Sequence, residues 1–248
     1  MRLDVYLTEN GFFESRSKAA SAIKAGAVTV NGRVADKASL SVEGGEAINV
    51  LSRERFVSRA GEKLAHALCE FGISPEGKTV LDIGASTGGF TDCLLQNGAS
   101  QVFALDVGTA QLAEKLRNDS RVTVMENFNA RTAKKSDFPE EIDMIVMDVS
   151  FISQTLIYPA CSDILGIGNY MITLVKPQFE AGRNNIGKGG IVHDRDNRII
   201  KEIMNKLDSE ADLNGFKRIG FTESPIEGGD GNREYLALFI KQERVDSE

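Results

Sequence analysis

From Thr79 onward the chain alternates short apolar, β-branched runs with amphipathic stretches. The runs predict strands near 79–83, 101–106, 121–125, 143–148, 170–175, 216–222 and 234–240, and the stretches between them predict helices near 89–97, 109–117, 155–165 and 195–213. Strands alternating with helices predict an α/β, doubly wound sheet. Ahead of it, Leu64, Leu68 and Phe71 fall on one helical stripe. The first 50 residues read differently. Hydroxyls from Ser15, then Ala19, Ala20 and Ile23 at helical spacing, and a stop at Gly26 predict a short helix. Val28 to Val34 then predicts a hairpin, because both centre positions of its tight turn need positive φ and Asn31-Gly32 supplies them. So few large apolar side chains give this front segment a marginal core.

The predicted organisation is a small α+β unit over 1–52, a linker over 53–60 and an α/β domain over 61–248. A length of 248 residues, at ~150 per domain, agrees with one domain and an attachment. With 42% hydrophobic and 26% charged residues, disorder is excluded. The longest weakly polar run, Leu165 to Val175, is 11 residues, short of the ~18 that suggest a membrane span. The N-terminus lacks the apolar core of a secretory signal. A cytoplasmic protein that needs no membrane is expected. Cys69, Cys93 and Cys161 have no CxxC spacing, and His66 and His193 no ligand pattern. Reduced thiols and no metal site follow.

The net charge of −7 argues against a surface coated for nucleic acid. Divided by segment, the same charges say otherwise: residues 1–63 carry ten Lys/Arg against eight Asp/Glu, leaving 19 against 28 for the rest. Arg2, Arg16, Lys18, Lys24 and Arg33 are candidates to line one side of the helix and hairpin and contact phosphates, although charge alone also fits a solvated face. Arg2-Leu3-Asp4, Ser15-Arg16-Ser17-Lys18-Ala19, Ile23, Gly26, Val28 and Val30-Asn31-Gly32 resemble the small RNA-binding domain (alpha-L motif) shared by ribosomal small-subunit protein S-four, tyrosyl-tRNA synthetases and pseudouridine synthases. The resemblance implies binding of structured RNA.

After the first strand of the larger domain comes Leu81-Asp82-Ile83-Gly84-Ala85-Ser86-Thr87-Gly88-Gly89-Phe90. Phe90 replaces the lysine of a P-loop, and Ser86 stands where a dinucleotide fingerprint needs glycine, which disfavours an NAD enzyme. An acid at Asp82 suits a cationic amino group and Asp106, closing the second strand ahead of Val107, suits a ribose diol. Together they point to S-adenosylmethionine, with 84–90 as its cradle; a tight turn with no ligand is the plain alternative. The third strand ends at Glu126-Asn127-Phe128, where a polar or aromatic side chain is expected to meet the adenine, with Asn127 the candidate named.

Lys63 in an opening helix turn, where the dipole disfavours a cation, Asp148 after strand four, Lys176 before Pro177, and Glu234 after a glycine-rich loop form the candidate chemistry. Singly each reads as a cap or surface charge. As a set they resemble the Lys-Asp-Lys-Glu tetrad of FtsJ-like ribose 2′-O-methyltransferases, with Asp148 also a cofactor contact. Ser58-Arg59-Ala60-Gly61-Glu62-Lys63-Leu64, Gly84 to Asp92, Asp148-Val149-Ser150-Phe151-Ile152-Ser153 and Lys176-Pro177-Gln178-Phe179-Glu180 are similar to the TlyA (hemolysin A) family of ribosomal-RNA cytidine-2′-O-methyltransferases. That resemblance implies a Rossmann-like, seven-stranded, S-adenosylmethionine-dependent methyltransferase domain behind the RNA-binding unit, acting on ribosomal RNA or ribosomal subunits. In this scheme Lys176, its pKa lowered by cationic Lys63, accepts or steers the ribose proton while Asp148 and Glu234 orient the lysines. Residues 176–201, net +3 and glycine-rich, are expected to form a lid that meets RNA through Arg183 and Lys188. A membrane-active haemolysin is disfavoured by the missing span. An RNA-binding protein with an inactive methyltransferase domain stays open.

Overall fold

A computed structural model of the chain describes residues 1–50, 55–182, 187, 190–192, 197–229 and 231–243. The chain divides into two compact units, Met1–Arg55 and Phe56–Glu248. In the first, helices α1 (Leu3–Glu9) and α2 (Arg16–Lys24) pack with strands β1 (Val28–Val30), β2 (Arg33–Val34) and β3 (Ile48–Val50). Ser15 caps α2 by accepting from the Lys18 N–H at 3.3 Å. Asn31 and Gly32 take φ of 50° and 76°, the turn their pairing predicts. Strand β1 is central, in the order β2-β1-β3. The core is small, built around Leu3, Leu7, Ile23, Val28 and Val42. Helix α1 and strand β3 were not legible in the sequence. One has no side-chain cap, and the other is three residues long.

The second unit opens at Phe56, buried within its core, so the stretch expected as linker already contains a core residue. Its elements are α3 (Ala60–Phe71), β4 (Thr79–Ile83), α4 (Gly89–Gln96), β5 (Gln101–Leu105), α5 (Glu114–Arg117), β6 (Val122–Met125), β7 (Ile142–Met147), α6 (Tyr158–Ile164), β8 (Leu165–Val175), α7 (Pro177–Glu180), α8 (Arg198–Leu213), β9 (Phe216–Glu223) and β10 (Tyr235–Lys241). The seven strands are ordered β6-β5-β4-β7-β8-β10-β9. Pairing is parallel from β6 to β8, whereas β10 runs antiparallel to both its neighbours. Both faces are covered. Tyr235, Ala237 and Phe239 of β10 join the core with Tyr158 and Met204, while Leu236 and Leu238 join the one with Leu64 and Phe90. This alternation is the pleat of a strand buried on both sides.

The chain winds one way from β4 and the other way from β7, which opens a crevice beyond their carboxyl ends. The expected helix over 109–117 is shorter, confined to Glu114–Arg117. The Glu126 carboxylate accepts from the N–H groups of Ala110 and Gln111, and Ala110 sits at φ 53°, so residues 109–113 form a loop bound to the end of β6. Those bonds, chiefly the Ala110 N–H with Arg117 beside it, lower the Glu126 pKa to about 2.

Candidate active site

The crevice holds a cavity of about 530 Å³ whose walls include Gly84, Ser86, Asp106, Val107 and Asp148. A side chain at Gly84 would place Cβ 2.3 Å from the Asp148 carbonyl oxygen, so glycine lets the exits of β4 and β7 meet. Asp106 is held by two backbone donors: the Ser86 N–H at 2.8 Å and the Gly108 N–H at 2.7 Å. Beneath the turn, Asp82 is fully buried and accepts from the Thr91 hydroxyl at 2.6 Å. Its other oxygen has no hydrogen-bond partner among the described residues. Burial, with the Asp148 carboxylate acting in the same direction, pushes the Asp82 pKa up to about 7 despite the Thr91 bond.

Other residues expected in the cradle are placed differently. Phe90 and Ala85 are buried in the apolar core. A Cβ on Gly88 would strike Leu116, and one on Gly89 would strike Ser58, so these glycines serve packing. Thr87 is exposed, and its carbonyl accepts from the Ala113 N–H. Asn127 does not line the cavity: at φ 55° its side chain turns to accept from the Thr109 hydroxyl, and Phe128, Asn129 and Arg131 line the wall instead. Gln111, also on the wall, belongs to the loop bound by Glu126; no local pattern could have revealed it.

The four charged candidates converge. Asp148 follows β7, Lys176 follows β8 and Glu234 precedes β10, and the pairing of Tyr235 with Val175 brings Glu234 and Lys176 to the same sheet edge. Lys63 reaches Glu234 from the first turn of α3 in a buried ion pair. Lys176 Nζ lies 2.6 Å from Asp148 Oδ1 and donates to Ser150 Oγ at 2.8 Å. Each lysine thus faces a carboxylate, Lys63 with Glu234 and Lys176 with Asp148. Phe151, at φ 65° and 92% exposed, stands at the mouth with its ring 5.1 Å from that of Phe179. In the sequence Phe151 stands only within the motif that carries the family resemblance, with no role of its own. Glu180 steadies this loop by accepting from Ser153 Oγ at 2.6 Å and the Gln154 N–H at 2.8 Å.

In the first unit, Arg2 and Arg16 both bind the buried Asp4, at 2.9 and 3.0 Å. These guanidiniums, Arg2 first, hold the Asp4 carboxyl down at about 2. Lys18 pairs with Glu14, and Lys24 and Arg33 are exposed. Arg183 and Lys188, the lid candidates, lie outside the described residues.

Residues 56–241 match the FtsJ-like methyltransferase family and residues 1–48 match the S4 domain. Hemolysin A of Brachyspira hyodysenteriae is 51% identical over 241 residues, spanning 97% of this chain and 100% of that protein. The 16S/23S rRNA (cytidine-2′-O)-methyltransferase TlyA of Mycobacterium tuberculosis (strain ATCC 25618 / H37Rv) is 41% identical over 237 residues, 95% of this chain and 88% of that one. Among solved structures, a hemolysin-named protein of Streptococcus thermophilus is similar with a TM-score of 0.77 at 44% identity, covering 98% of this chain and 89% of that one.

Proposed function

The chain belongs to the FtsJ-like methyltransferase family and carries an S4 domain at its N-terminus, and from that premise we propose that it methylates the ribose 2′-oxygen of cytidine in ribosomal RNA, using S-adenosylmethionine, in the cytoplasm. The observation that carries this reading is the convergence of Lys63–Glu234 and Lys176–Asp148 beside the cavity at the switch point of the sheet. The name of the Mycobacterium tuberculosis relative supports the choice of cytidine and of ribosomal RNA.

The cavity fits the cofactor. Asp106 offers a carboxylate for a ribose diol, and the unpartnered oxygen of Asp82 lies beneath the glycine turn, where a cationic group would relieve it. When bound, S-adenosylmethionine supplies an activated methyl group. A ribose hydroxyl ionises far above neutral pH, so the protein's task is to hold the oxygen in line and handle one proton. Lys176 Nζ, fixed between Asp148 and Ser150, is the group placed to meet the 2′-oxygen; as it passes one of its own protons to Asp148 it takes up the 2′-proton, so the net acceptor is the Asp148 carboxylate. Glu234 holds Lys63 in reach from the far side of the same edge. Phe151 offers an open aromatic face to the base whose ribose enters, the stacking mode by which proteins hold an unpaired base. The front unit binds the RNA through Arg2, Arg16 and their neighbours.

Mapping methylation stops on ribosomal RNA treated with the enzyme, with Lys176→Ala alongside, tests the reading. Wild-type protein produces a stop at a cytidine; the variant binds cofactor but produces none. A wild-type protein that leaves ribosomal RNA unmodified in every assembly state would overturn it. No helix among the described residues is long and apolar enough to cross a membrane. Intact liposomes are accordingly expected to retain an entrapped dye in the presence of the protein.

A further inference from the structure

Asn232 is buried, 2% exposed, in the loop before β10. Its Oδ1 accepts from the Val192 N–H at 3.0 Å and its Nδ2 donates to the Gly190 carbonyl at 3.0 Å. One amide side chain thus satisfies a donor and an acceptor of the chain that follows Lys176, the pairing a neighbouring strand would supply. The Gly187 N–H donates to the Ile191 carbonyl at 2.9 Å. Behind Asn232 the loop is closed on the ion pair. The Asn232 carbonyl accepts from the Gly228 N–H at 2.9 Å, and a Cβ on Gly228 would sit 2.5 Å from Glu234 Oε1. The Glu234 carbonyl in turn accepts from the Ser224 N–H at 2.9 Å.

We infer that Asn232 is a positioning residue: a clamp that ties Gly190 and Val192 to the loop carrying Glu234, and so holds the Lys63–Glu234 member of the two lysine–carboxylate pairs in place. The inference rests on the methyl-transfer reading of those pairs. Its cause is geometric. Among the described residues the β10–β8 register begins at Tyr235 and Val175, so Glu234 stands just outside the ladder. The Asn232 amide fixes the chain two residues ahead of Glu234 against Gly190 and Val192. A buried asparagine with both functions satisfied is costly to truncate, because Gly190 and Val192 would lose their partners together.

The test uses the full-length protein, ribosomal RNA and two independent variants. Asn232→Ala removes both bonds from one side; Val192→Pro removes the N–H donor from the other without altering Asn232. Either variant is expected to lower kcat by about tenfold, the scale of one or two lost hydrogen bonds. Cofactor affinity and stoichiometry stay within twofold, and exchange of the backbone amides at 190–192 quickens in Asn232→Ala. The double variant loses scarcely more than the worse single one, since both cut the same clamp. A general loss of fold would instead lower cofactor stoichiometry in proportion to activity, and that result overturns the positioning role. So do additive effects, or a kcat within twofold of wild type in Asn232→Ala. If the wild type itself transfers no methyl group, the reading of the site fails, while a positioning role that alone fails leaves wild-type transfer intact.

Discussion

The two units use the same chemical pairing in opposite ways. In the front unit the anion is buried and the cations are not: Asp4 is 5% exposed at its side chain, whereas Arg2 and Arg16 are 52% and 59% exposed. In the catalytic unit both partners are withdrawn, with Lys63 and Glu234 at 10% and 3% and Lys176 and Asp148 at 12% and 17%. A guanidinium pinned from below by a carboxylate keeps donors facing water, at a fixed spacing, for a phosphate backbone. A lysine enclosed with its carboxylate has no such outward face; it is held for one atom at a time. On the proposed reading, exposure more than charge separates the cations assigned to binding from those assigned to the reaction.

The sharpest way to break this contrast is at Lys176. Lys176→Ala should lower kcat on the order of 10²–10⁴-fold with cofactor affinity within twofold by calorimetry, and a variant with more than a tenth of wild-type turnover would place the chemistry elsewhere. Neutralising the front unit should do the converse. Arg2→Ala with Arg16→Ala is expected to weaken RNA binding by about tenfold or more at moderate salt and to flatten the dependence of log K on log salt by about two. Turnover at saturating RNA stays near wild type. Phe151→Ala should raise the KM for RNA several-fold, an aromatic stack being worth ~1–3 kcal/mol, and Phe151→Tyr should restore it.

The smallest effects separate the two units by the sign of their pH response. Asp4 has a folded pKa of about 2, below that of an unfolded aspartate, so its contribution to stability is complete above pH ~4 and fades as pH falls towards 2. Asp82 behaves oppositely. With a folded pKa of about 7 it keeps its proton when an unfolded chain would release it, so stability falls as pH rises from ~4 to 7 and is level beyond. Thermal melts across pH in the absence of cofactor should lose the first slope in Asp4→Asn and the second in Asp82→Asn. If Asp82→Asn leaves the neutral-pH slope in place, Asp82 is not the group that carries it.

Much of this was readable before the fold. The strand and helix alternation, the Asn31-Gly32 turn and the four charged candidates each depend on nearby residues or on a resemblance to known sequences. What escaped depends on distant ones. Gly88 and Gly89 look like part of the cofactor cradle in sequence, yet each is glycine because Leu116 or Ser58 lies against it. Asn127 lost its place at the cavity to its neighbours because a left-handed backbone turned its side chain towards Thr109. Phe151 reads as one more apolar residue until its loop, steadied by Glu180, leaves it in water.

The strand β10 slots between β8 and β9, although it is the last strand among the described residues. Lys63 and Glu234 are 171 residues apart in sequence. During synthesis, therefore, the front unit and the parallel half of the sheet can emerge and fold before the ion pair has its second member. Until Glu234 and the strand that follows it are in place, Lys63 lacks the carboxylate that closes its ion pair.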